Sequence, residues 1–276
     1  MFKKLILFSF FYILFILTSV SANPVSIIGL SPDKTVSIKQ IDHQPFDHLL
    51  YQYVDGNGDV DYTTWKSNDV VTLTDYLESL SAADPDKKAS KASKLAFWIN
   101  AYNALTIYGI LEKYPTSSIR NHTSVLFGYN IWKDLKLQVA NKAYSLDEIE
   151  HEILRKMNEP RIHFAIVCAS HSCPRLLNEA FVAEKIEQQL ESNASFFFMD
   201  NENFSLDENK KILFLSSILD CFGEDFGKNT PDVVQAIKPW LPDTNADMTD
   251  WKVKYLPYSW KLNDQKTAKK RRKPLT

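Results

Sequence analysis

The stretch LAFWINAYNALTIYGILEKY, residues 95–114, is the most apolar helical pattern in the chain beyond its N-terminal segment. It is apolar on nearly every side between residues 95 and 111, and Pro115 follows it directly. A helix that is apolar all round is buried, and proline does not continue a helix. The sequence therefore predicts a helix over residues 95–114 at the centre of the fold.

Asn100 and Asn103 are the polar exceptions on this helix. They are three residues apart, so they project from neighbouring parts of one helix face. Two roles are open for them. They can orient or polarise a catalytic group, or they can satisfy buried backbone groups, since buried polar side chains are hydrogen-bonded.

A second stretch, HFAIVCASHSCPRL at residues 163–176, contains two of the three cysteines and two of the six histidines. Its apolar run, residues 162–168, predicts a strand, and Pro174 suits the first turn of a helix after a polar turn. Unpaired N–H groups at a helix start favour a negative charge. Cys173 at this junction is therefore predicted to form a thiolate more easily than Cys168.

Strand alternation would place His163 and Cys168 on opposite faces, so they are poor partners. Cys173 lies beyond the turn, where the chain can fold back and bring its thiol to a histidine. A Cys–His pair in hydrogen-bond reach, with a polar group orienting the imidazole, is the minimum for thiol catalysis. We therefore predict Cys173 as the nucleophile and His163 as its base. Asn100 or Asn103 is the predicted orienting group.

Other arrangements stay open for the same residues. His163 can be a hydrogen-bonded core residue, and Cys168 can form a disulfide with Cys173, leaving Cys221 as the odd thiol. A zinc site would use Cys168, His171, Cys173 and His163, but their spacing matches no standard pattern. The two cysteines have four residues between them, whereas thioredoxin-like redox sites use C-x-x-C. The sequence predicts no metal and no cofactor.

Periodicity and turn signals predict the remaining elements. The predicted helices cover residues 46–53, 73–80, 145–154, 182–197, 216–222 and 231–241. The predicted extended segments are residues 60–62, a hairpin around 132–144, and residues 212–215 and 251–258. Ser145 and Glu148 form a capping box at the start of their helix. This mixture predicts a single α+β domain, with the buried central helix packed on a small, mainly antiparallel sheet.

The sequence DGNGDVD at residues 55–61 has alternating oxygen-bearing side chains, as at the start of an EF-hand loop. However, Val60 stands where the loop needs glycine, and Lys66 stands where it needs a bidentate glutamate. A plain turn is predicted here.

The N-terminus has Lys3 and Lys4, an apolar run over residues 5–17, and small residues before Asn23. This pattern predicts a secretory signal peptide over residues 1–22 and a periplasmic or secreted protein. A retained membrane anchor is the alternative and would be the sole membrane contact. Beyond it we predict an arm at residues 23–44, the domain at 45–263, and a basic, disordered tail at 264–276.

The formal net charge of the chain is -2, which favours no nucleic-acid partner. The partner is therefore predicted to be a substrate or a protein, neither of which the sequence identifies. The competing function is a non-enzymatic envelope module with a Cys168–Cys173 disulfide. Such a module would bind through exposed aromatic side chains, of which the candidates are Trp251, Tyr255, Tyr258 and Trp260.

The chain resembles the family catalogued as domain of unknown function 547. The resemblance rests on FWINAYNAL (97–105), SLDEIEHEILR (145–155), RIHFAIVCASHSCPRL (161–176) and YSWKLN (258–263), with weaker agreement in LLYQYVDGNGDVDY (49–62). It spans residues 45–263. The family signatures correspond to Trp98, Asn100, Tyr102, Asn103, His163, Cys168, Ser172, Cys173 and Pro174. Some plant members are joined to glutaredoxin-like modules, which implies a thiol theme.

Overall fold

The computed structural model describes residues 25–124, 128–242, 246–248 and 250–268. The predicted signal peptide at residues 1–22 lies outside the described residues, as do the basic residues 269–276. Within the part of the chain that is described, no helix has both the length and the apolar character needed to cross a membrane.

Helices and short strands alternate irregularly along the chain, which confirms the α+β class. The helices are α1 (Gln44–Tyr53), α2 (Tyr62–Asn68), α3 (Val70–Leu80), α4 (Lys91–Lys113), α5 (Ile131–Asp134), α6 (Leu146–Glu148), α7 (Ile186–Phe198), α8 (Ile218–Cys221), α9 (Thr230–Ile237) and α10 (Gln265–Ala268). The strands are β1 (Ser26–Ile28), β2 (Val36–Ser37), β3 (Ala83–Asp84), β4 (Leu135–Val139), β5 (Lys142–Ser145), β6 (Phe204–Asp207), β7 (Ile212–Ser216) and β8 (Lys252–Leu256).

Helix α4 is the centre of the fold, as its composition predicts. Ser90 caps its start by accepting a hydrogen bond from the Ser93 N–H at 3.0 Å. The helix ends at Lys113, close to the proline that follows. Its residues from Leu95 to Leu111 are buried on nearly every side. The larger hydrophobic core is built around this helix.

In the described part of the chain, two small mixed sheets and one parallel pair of strands replace the single, mainly antiparallel sheet that the sequence predicts. The hairpin β4–β5 is confirmed, with Leu137 opposite Tyr144. However, β1 pairs in parallel with β4, β2 with β3, and β8 with β7. β1 and β2 come from the arm at residues 23–44, which shows no periodicity. Parallel pairs join segments distant in sequence, so alternation within one segment does not reveal them.

The capping box is confirmed at the start of α6. The Ser145 hydroxyl accepts from the Glu148 N–H at 3.1 Å, and the Glu148 carboxylate accepts from the Ser145 N–H at 2.9 Å. The helix then continues as a π-helix over Ile149–Leu154. Such wide turns occur frequently at functional sites.

Two predicted boundaries are wrong. Residues 60–62 form isolated bridges at Val60, to Val54 and Asp264, instead of a strand, because Asp61 caps α2 by accepting from the Thr64 N–H at 3.0 Å. The predicted tail also starts too early. Asp264 is buried and accepts from the Tyr114 hydroxyl at 2.8 Å, and the Gln265 side chain donates to the Asp59 carbonyl at 2.9 Å.

A second, smaller core packs around Phe164, Phe197 and Phe198. Tyr258 lies after β8 and packs against both cores. The region around this tyrosine, where the two cores meet, contains the predicted functional residues.

Candidate functional site

The apolar segment at residues 162–168 is not a strand. A 3-10 helix, Pro160–Phe164, occupies its first half, and the Glu159 side chain caps that helix by accepting from the Arg161 N–H. The chain then runs without regular structure to Ala169, whose φ is 55°. An apolar run predicts that a segment is buried. An irregular segment can be buried as well as a strand can, provided that its backbone groups have hydrogen-bond partners.

Those partners come from the asparagines of α4. Asn103 donates to the Ala165 carbonyl at 3.0 Å and accepts from the Val167 N–H at 2.9 Å. Asn100 binds both backbone groups of Phe181, donating at 2.8 Å and accepting at 2.9 Å. Each asparagine side chain thus makes the hydrogen bonds that the backbone of a neighbouring strand would otherwise make.

This arrangement gives no support to the predicted catalytic role of the two asparagines, which stays a prediction. Both amides of Asn100 and Asn103 are buried and committed to backbone groups. Among the described residues, no hydrogen bond joins either side chain to His163. The second role, satisfaction of buried backbone groups, is the one the structure supports.

Cys168 and Cys173 form a disulfide. The oxidised protein therefore has no thiolate at Cys173, and the predicted nucleophile is absent in this state. The predicted helix start at Pro174 is also wrong, since the next helix begins at Ile186. Within the described part of the chain, no helix therefore begins at Cys173.

Several hydrogen-bond donors surround the sulfur of Cys173 instead. The Cys168 N–H donates to it at 3.1 Å, and the Ser170 hydroxyl donates at 3.3 Å. The Tyr258 hydroxyl lies 3.2 Å from the same sulfur and 2.7 Å from the Ser170 hydroxyl. After reduction of the disulfide, donors in these positions would stabilise a thiolate.

His163 is 3 % exposed and binds a partner that the sequence did not indicate. Its Nε2 lies 2.6 Å from a carboxylate oxygen of Asp225, and its ring stacks on Phe222 with centroids 4.3 Å apart. Burial lowers the pKa of His163, although the Asp225 hydrogen bond opposes this shift. A neutral His163 donates Nε2–H to Asp225, so its Nδ1 is an unprotonated acceptor.

A cavity of about 440 Å³ brings these groups together. His163 and both bonded cysteines line it, whereas Asn100 and Asn103 do not. Its other polar lining residues are Asp147, Glu150, His151, Ser217 and Cys221, and its aromatic lining residues are Tyr102, Trp132, Phe222, Tyr258 and Trp260. Largely apolar cavities with a few convergent polar groups are the usual form of small-molecule sites.

Glu150 is the carboxyl group with the most perturbed environment in this cavity. The Tyr102 hydroxyl donates to it at 3.1 Å. Burial raises the pKa of Glu150, while neighbouring His151, Tyr102 and Arg155 act in the opposite direction. Perturbed carboxyl groups in a cleft are concentrated at functional sites.

The sequence predicted only part of this site. His163 and Cys173 do share one cavity, but no hydrogen bond joins them among the described residues. Glu150 and His151 were missed, although the spacing of Asp147, Glu150 and His151 on one predicted helix would have placed them together. Asp225 is 62 residues from His163, and no local pattern points to it.

The disulfide is also expected to stabilise the domain. It joins residues five apart, and closing a loop of that size stabilises by about 2 kcal/mol through the unfolded state. Reduction should therefore lower the free energy of unfolding by about 2 kcal/mol in urea titrations. The Cys168→Ser variant should unfold identically with and without reductant. An equal response to reductant in that variant would contradict the assignment.

The zinc alternative does not fit the oxidised state, because two of its four ligands are joined in the disulfide. Within the described ranges, no group of three or more His, Cys, Asp or Glu side chains is arranged to hold a metal ion. In the 55–61 turn, the Asp55 carboxylate instead accepts from the Asn57 and Asp59 N–H groups at 2.9 and 3.0 Å.

Comparison with known proteins gives one match. No curated protein and no solved structure matches the chain. The family described as "Protein of unknown function, DUF547" matches residues 87–198, which run from the approach to α4 to the end of α7. The match includes both asparagines, His163 and the disulfide, whereas the related motifs at residues 49–62 and 258–263 lie outside it. The DUF547 resemblance predicted from the sequence is therefore confirmed over residues 87–198.

Proposed function

We propose that this protein is a thiol-dependent acyl transferase or hydrolase whose nucleophile, Cys173, is released by reduction of the Cys168–Cys173 disulfide. The observation that carries this proposal is the set of donors around the Cys173 sulfur, in the cavity that His163 also lines. A thiolate surrounded by donors and partly shielded from water is the usual form of a reactive cysteine.

The proposed reaction starts when a dithiol reductant converts the disulfide into two thiols and is itself oxidised. The Cys173 thiolate then attacks an acyl carbon, forms a thioester and expels the leaving group. His163 is not placed to take the thiol proton through a direct hydrogen bond. Its role is to accept a proton at Nδ1 from the water or alcohol that attacks the thioester, while Asp225 holds the ring.

Export through residues 1–22 remains part of the proposal. A disulfide is common in exported proteins and rare in the cytoplasm, so the Cys168–Cys173 bond supports an oxidising compartment. In that compartment the oxidised form is the resting state, and activity depends on a dithiol partner.

An acylation assay tests the proposal. Reduced protein is incubated with p-nitrophenyl acetate, and intact-mass and peptide spectra locate the acetyl group. We expect acetyl transfer to Cys173 in the reduced wild type and, without reductant, in Cys168→Ser. Cys173→Ser should react roughly 100-fold more slowly. His163→Gln should still acquire the acetyl group but lose it more slowly.

Cys221→Ser is the matched control, because Cys221 lines the cavity and lies outside the disulfide. Burial raises the pKa of the Cys221 thiol, so its thiolate should form less readily. If Cys221 takes up the acetyl group while Cys173 stays unmodified after reduction, the assigned nucleophile is wrong.

The second candidate is a non-enzymatic binding module, which the disulfide favours. Its predicted exposed aromatic patch does not fit the fold. Tyr255 is 38 % exposed, but Trp251, Tyr258 and Trp260 are partly buried. Tyr258 and Trp260 line the cavity. A module of this kind would therefore bind a small ligand inside the cavity, not a partner on its surface.

A further inference from the structure

We propose that the cavity selects a ligand with an apolar body and an ammonium group. This inference rests on the proposed function, since it names the substrate class of the same site. It is carried by the charges and rings of the lining residues. Asp147 and Glu150 line the cavity, and none of the described lining residues is a lysine or an arginine.

Arg155, which contacts His151 of the cavity, does not supply a free positive charge. The Arg155 guanidinium donates to the Asp225 carboxylate at 2.6 and 2.9 Å and also forms an ion pair with Glu224. Two carboxylates therefore share this one cation. A ligand carboxylate or phosphate would meet no lysine or arginine among the described lining residues, and burying an unpaired charge is unfavourable.

The two histidines of the cavity already have partners. Arg155 Nη1 lies 3.2 Å from Nδ1 of His151, and Nε2 of His151 lies 3.9 Å from Asp147. Burial lowers the pKa of His163, which disfavours its charged form, and its Nε2 is bonded to Asp225. Among the described lining residues, the carboxyl groups of Asp147 and Glu150 are therefore the groups best suited to pair with a charged ligand.

The aromatic side chains fit the same ligand class. Tyr102, Trp132, Tyr258 and Trp260 line the cavity, and the Tyr258 and Trp260 rings lie 4.7 Å apart. Faces of Trp and Tyr attract ammonium groups, most strongly where water is excluded. Trp260 already has a cation at its ring, since the Arg120 guanidinium lies 5.3 Å from the centroid. The rings also supply apolar surface for the ligand body.

Glu150 is the side chain that an ammonium group would pair with best. It receives a hydrogen bond from Tyr102 and can accept another with its remaining lone pairs. Burial disfavours its charged form, and an arriving ammonium group would reduce that disadvantage. Asp147 lies one turn earlier and would add a second carboxylate.

The test is a calorimetric titration of oxidised wild-type protein with three ligands of similar shape: phenethylamine, phenylacetate and phenethyl alcohol. The amine should bind at least roughly tenfold more tightly than the carboxylate or the alcohol. Glu150→Gln and Asp147→Asn should each weaken amine binding roughly tenfold, since each removes one partner of a partly buried charge pair. Neither substitution should weaken binding of the alcohol.

Glu152→Gln is the matched control, because Glu152 lies on the same π-helix but is exposed and paired with Lys156. It should bind the amine as the wild type does. Equal or tighter binding of phenylacetate, or an unchanged preference in both cavity variants, would overturn the inference. The titration uses the oxidised protein, so its outcome is independent of Cys173 acylation. Amine selectivity without acylation would refute the thiol reaction and leave the ligand class standing.

Discussion

Replacing Gly58 with alanine is expected to lower the free energy of unfolding by about 2–5 kcal/mol. Gly58 has a φ of 82°, in the left-handed region, where a Cβ costs roughly 1–2 kcal/mol. A Cβ at this position would lie 2.5 Å from the Leu176 nitrogen and 2.6 Å from the Arg175 Cα. These are backbone atoms, so relieving the overlap requires the chain to shift, at roughly 1–3 kcal/mol more.

Gly56→Ala in the same turn is the control. Gly56 is exposed, and a Cβ there meets no atom within 4 Å. Its free energy of unfolding should change by less than about 0.5 kcal/mol. Urea unfolding of the two variants measures the difference. Equal stability of the two variants would show that Gly58 does not pack closely against the 175–176 backbone.

The close approach of Gly58 to residues 175–176 places the DGNG turn beside the segment that contains the disulfide. The turn itself was predictable, because its residue types favour a turn wherever they occur. Its position against Arg175 and Leu176, two to three residues beyond Cys173, was not predictable, because that contact joins segments more than 100 residues apart. We therefore expect Gly58→Ala to disturb the disulfide segment as well as the turn.

The elements predicted correctly are those defined by nearby residues. The apolar surface of α4, the alternation in β4–β5 and the Ser145–Glu148 capping box each involve groups within one or two turns. These patterns act locally, so the sequence displays them directly. The apolar residues on nearly every side of α4 also predicted correctly that this helix is buried.

The errors at residues 162–176 have a different cause. An apolar run predicts burial but does not identify the partner of the buried backbone, and here the partner is the Asn103 side chain rather than a strand. Likewise, Asp225 and Tyr258 reach His163 and Cys173 through tertiary packing. Cys173 and His163 could thus be named as candidates from the sequence, whereas identifying their hydrogen-bond partners required the fold.

Replacing Asn103 with alanine is the second substitution expected to lower the free energy of unfolding strongly. In Asn103→Ala, the Ala165 carbonyl and the Val167 N–H each lose a hydrogen-bond partner. An unsatisfied buried polar group costs about 1–3 kcal/mol, so together with the cavity left by the side chain we expect a loss of roughly 3–5 kcal/mol in urea unfolding. Asn103→Asp should also be destabilised, because a carboxylate accepts from Val167 but does not donate to Ala165.

Asn121→Ala is the matched control for this experiment. Asn121 is exposed, with its amide 3.2 Å from the Thr116 and Ser117 hydroxyls, so its loss should change stability by less than about 0.5 kcal/mol. The comparison also decides between the two roles that the sequence left open for Asn103. If Asn103 has a structural role, Asn103→Ala should lose stability, and acylation of Cys173 should be retained wherever the variant remains folded. If Asn103→Ala instead keeps full stability and loses acylation, Asn103 has a catalytic role, and its hydrogen bonds to the backbone are not the reason for its presence.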